Sequence, residues 1–140
     1  MNPQELAEEI VRRFGPMDRA SHLLGIRLLE VRPGRVRMSM RVIDTMVNAQ
    51  QICHGGLIFT LADTSFGYAS NSHNQRALAS SCSIEFLAPA RVGDELTAEA
   101  SEVGHVGRTR VYDVRVTNQD QSLIALFRGR STTVKGAWIE

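Results

Sequence analysis

Cys53-His54-Gly55-Gly56-Leu57-Ile58-Phe59-Thr60-Leu61-Ala62-Asp63-Thr64-Ser65-Phe66-Gly67-Tyr68-Ala69 has the composition of a helix, yet apolar residues fall on nearly all of its sides. Such a helix belongs inside the molecule rather than on its surface. The polar residues from Asn71 to Asn74 end it. Downstream the period changes. Leu78 to Leu87, Asp94 to Val106, Thr109 to Thr117 and Ser122 to Lys135 read as strands, broken by Pro89 and Gly93-Asp94, by Gly104 and Gly107, and by Asn118 to Gln121. The run Leu123-Ile124-Ala125-Leu126-Phe127 predicts a stretch covered on both faces.

Upstream, Ile26 to Arg32 and Arg35 to Ile43 flank the turn dipeptide Pro33-Gly34 and read as a hairpin. In its second arm Val36, Met38, Met40 and Val42 should face one way, and Arg35, Arg37, Ser39 and Arg41 the other. The basic row is expected to be a solvated sheet face, with contact to the phosphates of a nucleotide-bearing ligand as the alternative. Asp44 to Ile52 has no clear period. At the start, Asn2 followed by Pro3 and Glu5 has the form of a capping box with proline at the first helical position. Leu6, Ile10 and Phe14 make an apolar stripe and Gly15-Pro16 stops the helix. A short helical or irregular piece is expected from Met17 to Leu24.

These elements predict a single α+β domain over residues 1–140: a helical segment at 1–24, then a core at 25–140 in which about six mostly antiparallel strands wrap one long central helix. A sheet of that kind has open edges, and continuing it across a dimer closes one of them. Composition agrees with a folded, soluble chain. Of 140 residues, 43% are hydrophobic and 22% charged, and 16 Lys and Arg against 15 Asp and Glu leave a net +1. That balance lacks the footprint of a nucleic-acid partner or an anionic membrane. Two cysteines, Cys53 and Cys82, make no secreted disulfide framework. The polar, acidic opening is unlike a signal peptide, and no apolar run approaches the roughly 18 residues of a membrane span. The expectation is a reduced, cytoplasmic protein.

Asp63 is the residue that a buried helix does not need. Aspartate is a poor helix-interior residue because its side chain competes for backbone hydrogen bonds. At about 100° per residue, Gly56, Phe59, Thr60, Phe66, Gly67 and Ser70 lie within about 60° of it, whereas Leu61, Ser65 and Tyr68 lie opposite and should face the sheet. A carboxylate among phenylalanines costs several kcal/mol unless something pairs with it or it reaches solvent. Glycines beside it admit another backbone or a ligand. At the start of the same helix, His54-Gly55-Gly56 leaves backbone N–H groups without intrahelical partners, at the positive end of the helix dipole. Such an end can polarise a carbonyl and hold an oxyanion.

Gly55 and Asp63 are eight residues apart, ~12 Å of helix, whereas a reacting group must come within about 3 to 3.5 Å of its target atom. Asp63 therefore cannot attack a carbonyl held by its own chain's Gly55. It can attack one held by a second copy whose helix lies antiparallel beside it, giving two equivalent composite sites per dimer.

Asn48, His54-Gly55-Gly56-Leu57-Ile58-Phe59, Leu61-Ala62-Asp63 and the later Ser83-Ile84-Glu85-Phe86-Leu87-Ala88-Pro89 resemble the hotdog-fold acyl-CoA thioesterases. More closely, the chain resembles the PaaI-type thioesterases of phenylacetate degradation, through Ala69-Ser70-Asn71-Ser72 and Ala125-Leu126-Phe127-Arg128-Gly129 and over most of the chain from about Leu24. The resemblance implies a hotdog fold, a dimer of dimers (a homotetramer), and hydrolysis of aryl-acyl-CoA such as phenylacetyl-CoA or its ring-hydroxylated relatives. It implies Asp63 as the catalytic carboxylate, Gly55 as the backbone donor to the thioester carbonyl, and His54 and Asn48 as supporting polar residues. Some relatives use a hydroxyl further along, for which Thr64, Ser80, Ser81 and Ser83 are candidates. Gly56, Phe59, Thr64, Phe66 and Ser81 are the expected substrate contacts. A thioester is activated enough that a carboxylate, water and an oxyanion donor suffice, so no metal or cofactor is expected beyond the coenzyme A of the substrate.

Other chemistries find little in the chain: no GxSxG, CxxC, HExxH or P-loop occurs. His22, His73 and His105 are scattered, and adjacent Cys53 and His54 point apart at a helix entry, against a thiolate–imidazole pair. Two alternatives stay open: a non-catalytic acyl-CoA-sensing module of the same fold, which has no need of Asp63, and a hydratase or dehydratase acting on acyl thioesters.

Overall fold

Asn2 caps the first helix, α1 (Pro3–Phe14), as its capping box predicts: its side chain accepts from the Glu5 N–H at 2.8 Å while Glu5 reaches back to the Asn2 N–H. The computed structural model describes residues 1–140. A 3-10 turn at Gly15–Met17 leads into α2 (Arg19–Leu23), the hairpin β1 (Arg27–Arg32) and β2 (Arg35–Arg41), and a second 3-10 turn at Asp44–Met46. The central helix α3 (Gly55–Asn71) follows, then β3 (Ala77–Phe86), β4 (Glu95–Val106), β5 (Thr109–Thr117) and β6 (Leu123–Thr133). The strands form one antiparallel sheet in the order β1-β2-β4-β5-β6-β3. Bulges in β1, β3, β4 and β6 sharpen its twist, and its inner face packs along α3. This is the hotdog architecture, with every predicted element present to within two or three residues at its ends.

One core unites the layers. Val36, Met38, Met40 and Val42 from the β2 segment, Leu96, Ala98 and Ala100 from β4, and Val114 and Val116 from β5 are almost wholly buried against Leu61, Ala62 and Ala69 of α3. Ala7, Ile10, Val11 and Phe14 of α1 join the same core. Asn71 brackets the end of α3: its amide donates to Gly67 O at 2.8 Å and its Oδ1 accepts from Ala77 N and Trp138 Nε1, each at 3.0 Å. No helix is long and apolar enough to cross a membrane.

Four side chains depart from their expected surroundings. Phe66, placed by its helical angle on the Asp63 side, is 1% exposed and packs on Tyr112 and Phe127. The cause lies in β6, where Gly129 opens a recess: a Cβ there would stand 2.8 Å from two Phe66 ring atoms. Gly129→Ala is therefore expected to lower stability by about 1–3 kcal/mol through overpacking, read as a drop in Tm that Phe66→Leu partly restores in the double variant. Ser39 is buried rather than solvated, because Arg27 of β1 reaches across β2 to Glu95 of β4 at 3.0 Å and roofs it. Tyr68 stacks edge-on against Phe14 of α1, ring centroids 4.7 Å apart, instead of facing the sheet. Leu126 is 38% exposed, so the apolar run of β6 is covered on one face only within the protomer.

The basic row of β2 is engaged by acids: Arg35 bonds Glu99 at 2.6 Å and Arg37 lies between Glu30 and Glu99. This is the solvated sheet face expected. At the far edge β3 has only Ala77 buried, and Leu78 and Phe86 are 64% and 52% exposed.

Candidate active site

The N-terminus of α3 is built by the loop before it. His54 is the N-cap residue, extended at φ −59° and ψ 131°, with no side-chain cap bond. Its N–H donates to Met46 O at 2.8 Å and its carbonyl accepts from Leu57 N at 3.0 Å and Ile58 N at 3.4 Å. The Gly55 and Gly56 N–H groups engage no backbone or side-chain acceptor, and both point off the positive end of the helix. Asn48 Oδ1 accepts from Gln50 N at 2.9 Å and Ile52 N at 3.4 Å, which fixes the loop and leaves the amide NH2 as an unused donor. Asn48 and Gly55 line one apolar cavity of about 500 Å³, closed by Ile52, Ile58 and the segment Phe86–Ala90. Cys53 is buried there, its Sγ directed at the His54 carbonyl and its thiol pushed up by burial, the opposite of an activated thiolate.

Asp63 sits elsewhere, in a second cavity of about 420 Å³ with Thr60, Thr64, Gly67, Asp18 and Trp138 among its walls. It is half-buried. Its carboxylate accepts no hydrogen bond and pairs with no cation, whereas Thr60 and Thr64 donate back along the helix to Gly56 O and Thr60 O. Burial, and after it the nearby Asp18 carboxylate, hold the Asp63 carboxyl above the usual carboxylate range. A desolvated, unpaired carboxylate beside open space is a competent proton acceptor. Cys82 of β3 is close enough for Asp63 to push its thiol up as well, after burial.

Of the expected site residues, Asn48, His54, Gly55 and Gly56 gather at one end of α3 and Asp63 and Thr64 on its flank. Phe59 and Phe66 belong to neither cavity: Phe59 meets Phe127 edge-on at 5.3 Å and Phe66 fills the Gly129 recess. Ser81 pairs with Arg130 on the outer face of the sheet, turned away from α3. The bulge between Ala79 and Ser81 decides this: past it, Cys82, opposite Gly129, carries the inward face. Asp18 and Trp138 line the Asp63 cavity and Phe86 the Gly55 cavity without having been singled out from sequence. Each arrives from a distant element, and only Phe86 carried a local sign, within Ser83–Pro89. His22, His73 and His105 lie against Gly15 O, Glu102 and Gly107 O respectively. No group of three or more His, Cys, Asp or Glu side chains converges closely enough to hold a metal ion.

Comparison with known proteins places the chain in company. The thioesterase superfamily model matches residues 50–125. The chain is 46% identical over 120 residues to the acyl-coenzyme A thioesterase PaaI of Escherichia coli, covering 85% of each. The structure of the E. coli PaaI protein from the phenylacetic acid degradation operon superposes with a TM-score of 0.94, at 40% identity over 96% of this chain and 97% of that one. A Streptococcus mutans protein bound to acetyl CoA superposes with a TM-score of 0.77 at 29% identity, over 80% of this chain and 90% of that one.

Proposed function

The chain belongs to the thioesterase superfamily and is an acyl-CoA thioesterase of the PaaI type, and from that premise we propose that it hydrolyses aryl-acyl-CoA esters, phenylacetyl-CoA or ring-hydroxylated phenylacetyl-CoA foremost. The aryl preference is supported by the likeness to a protein of a phenylacetic acid degradation operon. In the proposed reaction the thioester oxygen lies at the Gly55 N–H, with Asn48 NH2 and His54 beside it, and Asp63 of a second protomer drives attack on the carbonyl carbon. Water is added across the C–S bond: the acyl carbon gains the hydroxyl and coenzyme A leaves as its thiol. The N–H group is aimed where negative charge develops and has no competing acceptor, so it strengthens its bond as the oxyanion forms. Thr64 lies beside Asp63 on the substrate side. Coenzyme A enters as part of the substrate, and no resident cofactor takes part.

The observation that carries this reading is the division of the machinery: an unengaged donor and an unpaired carboxylate on one helix, in separate cavities, ~12 Å apart by helical rise. Two copies with antiparallel α3 helices bring each donor to the other's carboxylate. The nearly bare edge strand β3 is the natural seam, continuing the sheet into the second copy, and two such dimers make the proposed homotetramer. The two cysteines are unpaired, in keeping with a reducing cytoplasm.

The test is complementation. Asp63→Asn and Gly55→Pro are each expected to be inactive alone, since every site in either homodimer lacks one half. Unfolded together and refolded, half the dimers are mixed and each holds one intact site, so thiol release from phenylacetyl-CoA should recover to about a quarter of the unmutated level by symmetry alone. No recovery in a refolded mixture that forms mixed dimers would remove the composite site.

A further inference from the structure

The ring of Phe86 lies with its tip against Gly55. A Cβ built on that glycine would stand 3.0 Å from Phe86 Cζ, 3.3 Å from Cε1 and 3.4 Å from Cε2. The ring thus fills the space a side chain would take on the residue whose N–H is free, inside the cavity that also holds Asn48. Its backbone is not free to wander. Phe86 pairs with Ala125 of β6 on the inward face, and the next two N–H groups, of Leu87 and Ala88, both donate to Ile124 O at 2.8 and 3.2 Å. Yet Phe86 remains 52% exposed and stands outside the buried core. Within the protomer, one side of an anchored aromatic ring is thus left uncovered next to the free Gly55 N–H.

We propose that Phe86 is the specificity-determining residue for the acyl group, its uncovered face receiving the aryl ring of a substrate whose carbonyl oxygen is held at Gly55 N–H of the same protomer. In a phenylacetyl group one methylene separates ring from carbonyl, which places the ring centre about 4 Å from the carbonyl carbon at ordinary C–C lengths. So short a span keeps the substrate ring beside Gly55, where the Phe86 ring stands, and offset or edge-to-face pairs form at ring-centre separations of about 4.5–7 Å. A flexible alkyl chain fills the same apolar cavity without that directional contact. The proposal rests on the aryl-acyl reading above and names the residue that enforces it.

The experiment measures kcat/KM by thiol release with phenylacetyl-CoA and hexanoyl-CoA for the unmutated protein, Phe86→Leu and Phe86→Tyr, with dimer content checked by sedimentation. Phe86→Leu should lower kcat/KM for phenylacetyl-CoA about tenfold, mostly through KM, and change hexanoyl-CoA less than twofold; Phe86→Tyr, which keeps the ring, should retain the preference. If the unmutated protein prefers phenylacetyl-CoA and Phe86→Leu keeps that preference, or loses both substrates equally as dimers dissociate, the Phe86 assignment falls and the aryl reading stands. If the unmutated protein shows no aryl preference, the aryl reading falls and takes the assignment with it.

Discussion

Asp63→Asn is expected to reduce kcat on phenylacetyl-CoA by between about a hundredfold and ten-thousandfold, the range of a lost acid–base group, while leaving substrate binding and fold intact. The amide is isosteric, so the cavity with Thr60, Thr64 and Gly67 is unchanged in shape. Full turnover in the variant would sink the catalytic assignment. Stability supplies a second, independent readout. Because the folded state raises the Asp63 pKa, the folded chain holds that proton more tightly than the unfolded chain does. Its contribution to stability therefore grows as pH falls through the folded pKa, and at neutral pH the ionised carboxylate is a net cost. Asp63→Asn should raise Tm at pH 7 as it abolishes activity. The same shift sets the pH profile of the unmutated protein. A carboxylate that must be ionised to work loses kcat/KM as pH falls through a value above the 3.8 of an unperturbed aspartate. Asp18→Asn removes the second cause of the shift and should move that acid limb to lower pH. Asn caps helices as well as Asp does, so α2, capped by Asp18 through Ser21 N at 3.3 Å, survives the change. An unmoved limb would show that Asp18 does not act on the catalytic group.

Gly55→Pro deletes one backbone N–H and, by local criteria, little else. That N–H has no partner within the chain, proline is favoured at the first helical position, and the preceding residue already has the extended φ −59°, ψ 131° that proline demands of its neighbour. The added Cβ meets the Phe86 ring at 3.0 Å, which Gly55→Ala reproduces while keeping the N–H. The comparison of the two variants therefore cancels the shared Cβ contact and leaves the loss of the donor, with the proline Cδ in the hydrogen's place. The proline variant should fall below the alanine variant in kcat by about 10²–10³-fold, the usual loss for one oxyanion-hole donor. Equal rates in the two variants would mean that the carbonyl is polarised by another group.

Local signals in this chain were unusually direct. Capping by Asn2, the turn at Pro33-Gly34, where Gly34 has φ +71°, and the alternation of Val36 to Val42 each depend on neighbours within a few residues, and each was realised. Asp63 and Gly55 stand out in the sequence for a different reason: a charge and a pair of glycines are unexpected on a buried helix, and their catalytic use is what the variants above test. Phe59 and Phe66 illustrate where such reading stops. Their angles around α3 put them near Asp63, but the sheet curls past the helix and a glycine in β6, more than sixty residues away in sequence, makes the recess that takes Phe66. Ser81 turned outward because of one extra residue at a bulge, and a one-residue change of register reverses every side chain beyond it.

By itself, the sequence determined the order and kind of the elements, the burial of the central helix and the two chemical groups that helix carries, since periodicity, caps and misplaced charge are properties of adjacent residues. Only the tertiary structure decided what stands next to those groups: Phe86 on Gly55, Asp18 and Trp138 in the cavity of Asp63, Cys82 within its field. Those neighbours are brought together by strand pairing and sheet curvature, which sum contacts over the whole chain, and no local pattern encodes the sum.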